Sequence, residues 1–224
     1  MKRYVRENSL SLAFLTIFLA SLVGQAFVGH SDFNHDQVAH QDETMSLWRF
    51  VTSSAYWVDV MENWQSEYLQ FTLFILGTVW LVQRGSPESK QLDKVGRESD
   101  EDQKLGEHTE PDSPKWAKAG GWRTAIYSNS LLLLMGALML GTWFAQLLTG
   151  RAEYNAEQFD HHEAALSVWQ YAGSSDFWNR TLQNWQSEFL AILSMAVFAI
   201  WLRQRGSPES KPVGSPHDAT GVEG

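Results

Sequence analysis

The chain has no cysteine in its 224 residues. That excludes disulfides, thiolate metal sites and a cysteine nucleophile, and it removes any inference about redox compartment. There is no phosphate-cradling glycine loop, no nucleophile elbow, no zincin helix and no basic patch suited to nucleic acid. Arg84-Gly85-Ser86-Pro87-Glu88-Ser89-Lys90 contains glycine, serine and lysine but lacks the spacing of a P-loop. Basic residues are nearly missing from two long stretches, 30–67 and 151–188, which hold only Arg49, Arg151 and Arg180. No catalytic constellation and no cofactor motif remains to be assigned, so a non-enzymatic protein is expected.

What is present is a repeat. Positions 8–90 align with 129–211 without a gap, at a constant offset of 121, and 31 of the 83 pairs are identical. Asn63-Trp64-Gln65-Ser66-Glu67 returns as Asn184-Trp185-Gln186-Ser187-Glu188, and the octapeptide Gln83 to Lys90 returns unchanged as Gln204 to Lys211. Identity at this level over one unbroken register reads as a duplicated unit.

Each unit carries two apolar runs. Leu10–Gly29 and its counterpart Leu131–Gly150 are long enough, at about 30 Å of helix, to match a bilayer core. Tyr68–Val82 and Phe189–Leu202 are shorter and reach a full span only if the helix continues back through Trp64 or Trp185. Trp64 and Trp80 would then sit about 24 Å apart, near opposite interfaces, as would Trp185 and Trp201. Eight of the 11 tryptophans fall in such matched pairs, which suits interfacial anchoring. The mean hydropathy of −0.28 conceals this because a polar linker and two polar loops dilute the runs. The fold class expected is all-α: an integral membrane four-helix bundle built from two tandem parallel repeats of two spans, with short amphipathic helices in the outer loops. Its parts are a first repeat (1–90), a disordered linker (91–121), a second repeat (122–211) and a disordered tail (212–224).

Charge orients the spans. With both termini and 83–130 on one side, that side holds 14 of the 17 basic residues. The opposite loops hold 13 acids against 3 bases, a net of −10, so the formal −9 of the chain lies there. The positive-inside rule places both termini and the linker in the cytoplasm of a multi-pass protein. Lys2, Arg3 and Arg6 before an apolar run resemble a signal peptide, but the counterpart run is internal, so an uncleaved anchor is expected.

Three groups of residues are candidates for function. Asp36 and His40, with Glu157 and His161, stand one helical turn apart in outer loops, and carboxylate with imidazole suits a transition metal. A solvated acidic loop is the plainer reading. Glu67 and Glu188, with Asn63 and Asn184 on the same faces and Gln25 and Gln146 as partners from the other spans, form a polar set near the outer interface. Ionisable groups at that depth suggest either interhelical packing or a small transporter or channel. Finally, Arg84–Lys90 and Arg205–Lys211 end the second and fourth runs. They suit a helix stop anchored to the lipid bilayer by arginine, or docking of anionic lipid or a protein partner.

The paired Asn-Trp-Gln-Ser-Glu segments, the spans after them and the Gln-Arg-Gly-Ser-Pro-Glu-Ser-Lys ends resemble a family of small bacterial membrane proteins catalogued as a domain of unknown function. The resemblance covers both halves. It implies a bacterial inner (cell) membrane location and brings no functional residues with it; the role expected from the residues themselves is that of a non-enzymatic accessory or envelope-associated component.

Overall fold

The computed structural model describes residues 2–222. Most of these residues are helical, with no strand among them. In chain order the helices are α1 (Lys2–Glu7), α2 (Ser9–His40), α3 (Leu47–Val51), α4 (Ser54–Trp80), α5 (Lys115–Lys118), α6 (Gly121–Ser128), α7 (Ser130–Asp160), α8 (Val168–Ala172) and α9 (Ser175–Phe198). The chain divides into two compact units, Met1–Met61 with Ala145–Tyr171, and Glu62–Phe144 with Ala172–Gly224.

α2 and α7 are longer than their apolar runs. Nothing in 30–40 or 151–160 breaks a helix, so the backbone pattern continues through the polar residues. Each helix stops by the same device. Gln41 and His162 turn left-handed, at φ 65° and 58°. The next amides, of Asp42 and Glu163, reach back to the carbonyls of Gln37 and Gln158 at 2.8 Å in both cases.

These two helices are long and apolar enough to cross a membrane. The other two expected spans lie in α4 and α9, which do not meet that measure. Asp59, Glu62 and Glu67 occupy the first half of α4, and Asp176 and Arg180 that of α9, with Glu188 just past its middle. The helices then end at Trp80 and Phe198, before the apolar runs do.

In the first unit, each outer loop is tied to the helix before it. The Asn34 side chain donates to the Met45 carbonyl and accepts from the Met45 amide, both at 2.9 Å. Asn155 does the same with Leu166, at 3.0 and 2.8 Å. A ring nitrogen of His30 lies 2.7 Å from the Met45 carbonyl, and Arg151 Nε donates to that of Leu166 at 2.7 Å. These positions differ by 121 throughout. Beyond the clamp, α3 and α8 lay one aromatic ring on a glycine. A Cβ at Gly29 would meet Phe50 at 3.2 Å, and one at Gly150 would meet the Tyr171 hydroxyl at 2.5 Å. Glycine leaves room for that approach, and the need is greater at Gly150 than at Gly29. Phe50 and Tyr171 are buried, whereas Trp48 and Trp169 on the same short helices are 76% and 83% exposed.

α4 and α9 start at the second residue of two matched serine pairs, Ser53-Ser54 and Ser174-Ser175. Ser174 caps α9 by accepting from the Phe177 amide at 3.2 Å. Between α4 and α7, the segment 91–121 makes two 3-10 turns, Leu92–Lys94 and Gly106–His108, before α5.

Candidate functional site

The second unit holds two polar assemblies, one along α4 and α9 and one beyond their C-termini.

In the first, the indole of Trp185 donates to Gln65 Oε1 at 2.9 Å, and Gln65 in turn donates to the Glu62 carbonyl at 3.1 Å. Arg180 bridges Glu62 at 3.2 Å and Asp176 at 3.5 Å. The Ser66 hydroxyl lies 2.9 Å from the Asn63 carbonyl and 3.3 Å from Glu188 Oε1. Gln65, Ser66 and Thr181 are essentially inaccessible. Beside them the Trp143 ring stacks on Phe177 at 6.0 Å and meets Trp178 and Trp185 at 6.0 and 5.9 Å. A buried layer of this kind is stable because its donors meet acceptors.

In the second assembly, the two octapeptides fold into the same turn. Each serine near its end returns to the helix terminus. The Ser89 hydroxyl accepts from the Gln83 amide at 2.8 Å, and the Ser210 hydroxyl from the Gln204 amide at 2.9 Å. Each then donates to the following lysine carbonyl at 3.1 Å. Gly85 and Gly206 adopt φ of 87° and 81°, which glycine accepts without strain.

The two turns then diverge in what they touch. Lys211 is buried, and its ammonium donates to the carbonyls of Gly85, Pro216, His217 and Ala219 at 2.5–3.3 Å. Burial, together with the nearby Arg203, holds its pKa below the ordinary lysine value. Lys90 instead bonds to the Gly96 carbonyl at 3.0 Å and pairs with Glu98 at 2.9 Å. The chain after Lys211 covers the first turn: the Gly85 amide donates to Thr220 Oγ1 at 2.8 Å, and the Gly221 amide to the Ser86 carbonyl at 3.1 Å. Arg84 pairs with Asp218 at 3.1 Å.

Glu88 and Glu209, the same position of the two octapeptides, are hydrogen-bonded to each other. Burial, that bond and the charge of Glu209 push Glu88 up to about 7. Glu88 also lines an apolar cavity of about 330 Å³ between α4 and α9, walled by Leu73, Phe74, Ile192 and Ala196.

The residues expected from sequence fall as follows. Asp36 and His40 are exposed and pair with each other at 3.6 Å. Glu157 and His161 are exposed and linked through the backbone at 3.1 Å. Among the described residues no group of three or more His, Asp or Glu is placed to hold a metal ion. Gln146 is buried and Gln25 half-buried in the first unit. In the second, Glu188, Asn184, Trp64 and Trp185 are half-buried, while Asn63 and Glu67 are exposed. Trp80 and Trp201 are 55% and 56% exposed.

The chain belongs to a family of unknown function. That family is the Domain of unknown function (DUF6766), which matches residues 1–222. Neither the curated proteins nor the solved structures provide a match.

Sequence reading missed Glu62 and Arg180, and it took Lys211, Glu88 and Glu209 only as members of the segments Arg84–Lys90 and Arg205–Lys211, without their contacts. Glu62 and Arg180 align with Gln183 and Asp59, so their ion pair has no counterpart in the register of identities. Glu88 and Glu209 carried a signal, since each is the only acid of an octapeptide that recurs unchanged.

Proposed function

We propose that this member of the family is an integral membrane protein with four spans, two in each tandem half. Both termini and 83–130 lie in the cytoplasm, and the role is that of a non-enzymatic accessory or envelope-associated component. The observation that carries the reading is exposure. The most apolar windows of α2 and α7 have only 6% of their residues buried. A core helix of a soluble domain buries such a face, and a patch this large left bare in water would aggregate. Lipid is the solvent that matches it.

α4 and α9 follow the same logic at lower hydropathy. Phe71, Leu73 and Leu76 are 43–47% exposed, and Leu190, Leu193 and Phe198 are 56–61% exposed. Glu62, Gln65, Ser66, Arg180 and Trp185 hold their polar atoms in internal bonds, as a helix entering the interface requires. Glu188 in contact with Ser66 supports a packing role for that position. Trp80 and Trp201 suit an interface, and exposed Arg84 and Arg205 suit anionic headgroups of a bacterial inner membrane.

Alkaline carbonate extraction of membranes from expressing cells tests this reading. The protein is expected to stay with the membrane pellet and to leave it only in detergent. Release by carbonate alone contradicts an integral protein.

A further inference from the structure

We infer that the cavity between α4 and α9, with the Glu88–Glu209 carboxyl pair at its mouth, is a binding site for a small apolar organic cation. The inference does not rest on the membrane topology proposed above, because cavity and carboxyls lie within one compact unit.

Shape and lining come first. About 330 Å³ is within the range of small-molecule sites, and the walls formed by Leu73, Phe74, Ile192 and Ala196 are apolar. Polar groups gather at one end, where Ser86 and Glu88 reach the lining. Among the described residues, no lysine or arginine lines the cavity. Such a space favours a ligand with an apolar body and one charged end.

The sign of that charge follows from the carboxyls. Two carboxyl groups hydrogen-bond to each other only when one keeps its proton, so below about pH 7 the pair carries a single negative charge and above it two. The surrounding cations are engaged elsewhere. Lys211 is held by four carbonyls. Arg203 is held by the carbonyls of Ala199, Ile200, Leu202 and Ser215. Arg84 pairs with Asp218, and Lys90 with Glu98. Arg205 is exposed, and Glu209 is the one charged group acting on Glu88. A cation from solution would supply the missing partner. A hard divalent metal fits poorly, since it needs several oxygen ligands around it and no apolar body, whereas the walls away from the Glu88 end are apolar. An aryl or alkyl ammonium fits, with its apolar groups against Phe74 and Phe189 and its charge beside Glu88.

Binding exchanges one ion for another. The cation enters, the proton shared by Glu88 and Glu209 leaves to solvent, and both carboxylates face the bound charge. Because Glu88 titrates near 7 in the free protein, the cation competes with a proton below that pH.

Calorimetric titration of the full chain in a non-ionic detergent with benzyltrimethylammonium tests this. Affinity is expected to climb up to about tenfold per pH unit below 7 and to level off above it, with close to one proton released per cation at about pH 6. Glu88→Gln is expected to bind at least about tenfold more weakly at pH 8 and without pH dependence. Ala196→Trp keeps both carboxyls, fills the cavity and is expected to abolish binding. Absence of binding by the wild type at pH 8, binding that is flat with pH, or undiminished binding by Ala196→Trp overturns the assignment. A cavity that holds only a lipid acyl chain would give equal, pH-flat uptake in the wild type and Glu88→Gln, which also overturns it. Should Glu88→Gln not fold, the wild-type pH profile and Ala196→Trp decide.

Discussion

The ammonium of Lys211 donates a hydrogen bond to the backbone carbonyl of Gly85 at 2.5 Å, across 126 residues of chain. It thereby joins the last residue of one octapeptide to the third residue of the other. A helix stop needs only glycine and proline, so this contact shows what the rest of the octapeptide does. Serine closes the turn, glutamate faces glutamate, and lysine locks one copy to the other.

That lock predicts an asymmetry between lysines. Lys211→Met keeps the apolar stem but leaves the carbonyls of Gly85 and His217 without their donor. A loss of about 1–3 kcal/mol is expected for buried groups left unpaired. Lys90→Met, at a half-buried site, is expected to cost less. Thermal unfolding of both variants in detergent checks the order, and equal losses would show that burial of Lys211 contributes nothing.

The glycines of the two turns also differ. Both have positive φ, so alanine strains each by about 1 kcal/mol. At Gly85, however, a Cβ would stand 2.5 Å from the His217 carbonyl and 3.0 Å from Ile200, whereas Gly206 faces open space. Gly85→Ala is therefore expected to lower the melting temperature clearly more than Gly206→Ala, as differential scanning would record.

Glu88 sets a pH dependence. Its pKa is raised from 4.5 to about 7 on folding. Between those values the folded chain holds a proton that the unfolded chain has lost, so stability is highest in acid and falls as pH rises towards 7. Melting temperature against pH is expected to decline over that window in the wild type, with a shallower decline in Glu88→Gln. Parallel curves would remove Glu88 from the explanation.

Glu188→Gln separates packing from transport. Glutamine retains an acceptor for Ser66, so a change of about 1 kcal/mol or less is expected if the contact is structural. Glu67→Gln is expected to be equally mild, because Glu67 is exposed. Liposome ion flux measured on the same proteins is the discriminating readout. A folded variant that loses a flux the wild type has would establish the transporter reading.

The helical content and the long runs in α2 and α7 were legible in the sequence because apolar length and repeat register are local signals. The matched serines Ser53-Ser54 and Ser174-Ser175 stand at the starts of α4 and α9, but the capping bond is made by Ser174, whereas the Ser53 hydroxyl donates to the Phe50 carbonyl at 2.7 Å. The extension of α2 to His40 was not legible, because polarity marks solvent and not the end of a helix. Gly85 and Gly206 read as helix stops, yet α4 and α9 end at Trp80 and Phe198 and the glycines shape the turn beyond. The Asn34–Met45 clamp left a trace, the identity of Asn34 and Asn155, but only its geometry shows the purpose. The Lys211 cage is formed by backbone carbonyls, which carry no sequence signature at all.

The account turns on where the linker and the outer loops lie. The absence of cysteine permits a clean test by single-cysteine labelling with a membrane-impermeant maleimide on intact cells. Ser99 and Ala156 are both exposed, so either introduced thiol can react if the reagent reaches it. Ala156→Cys is expected to label on intact cells and Ser99→Cys only after the membrane is opened. Equal labelling on intact cells, or labelling of Ser99→Cys alone, would contradict the topology.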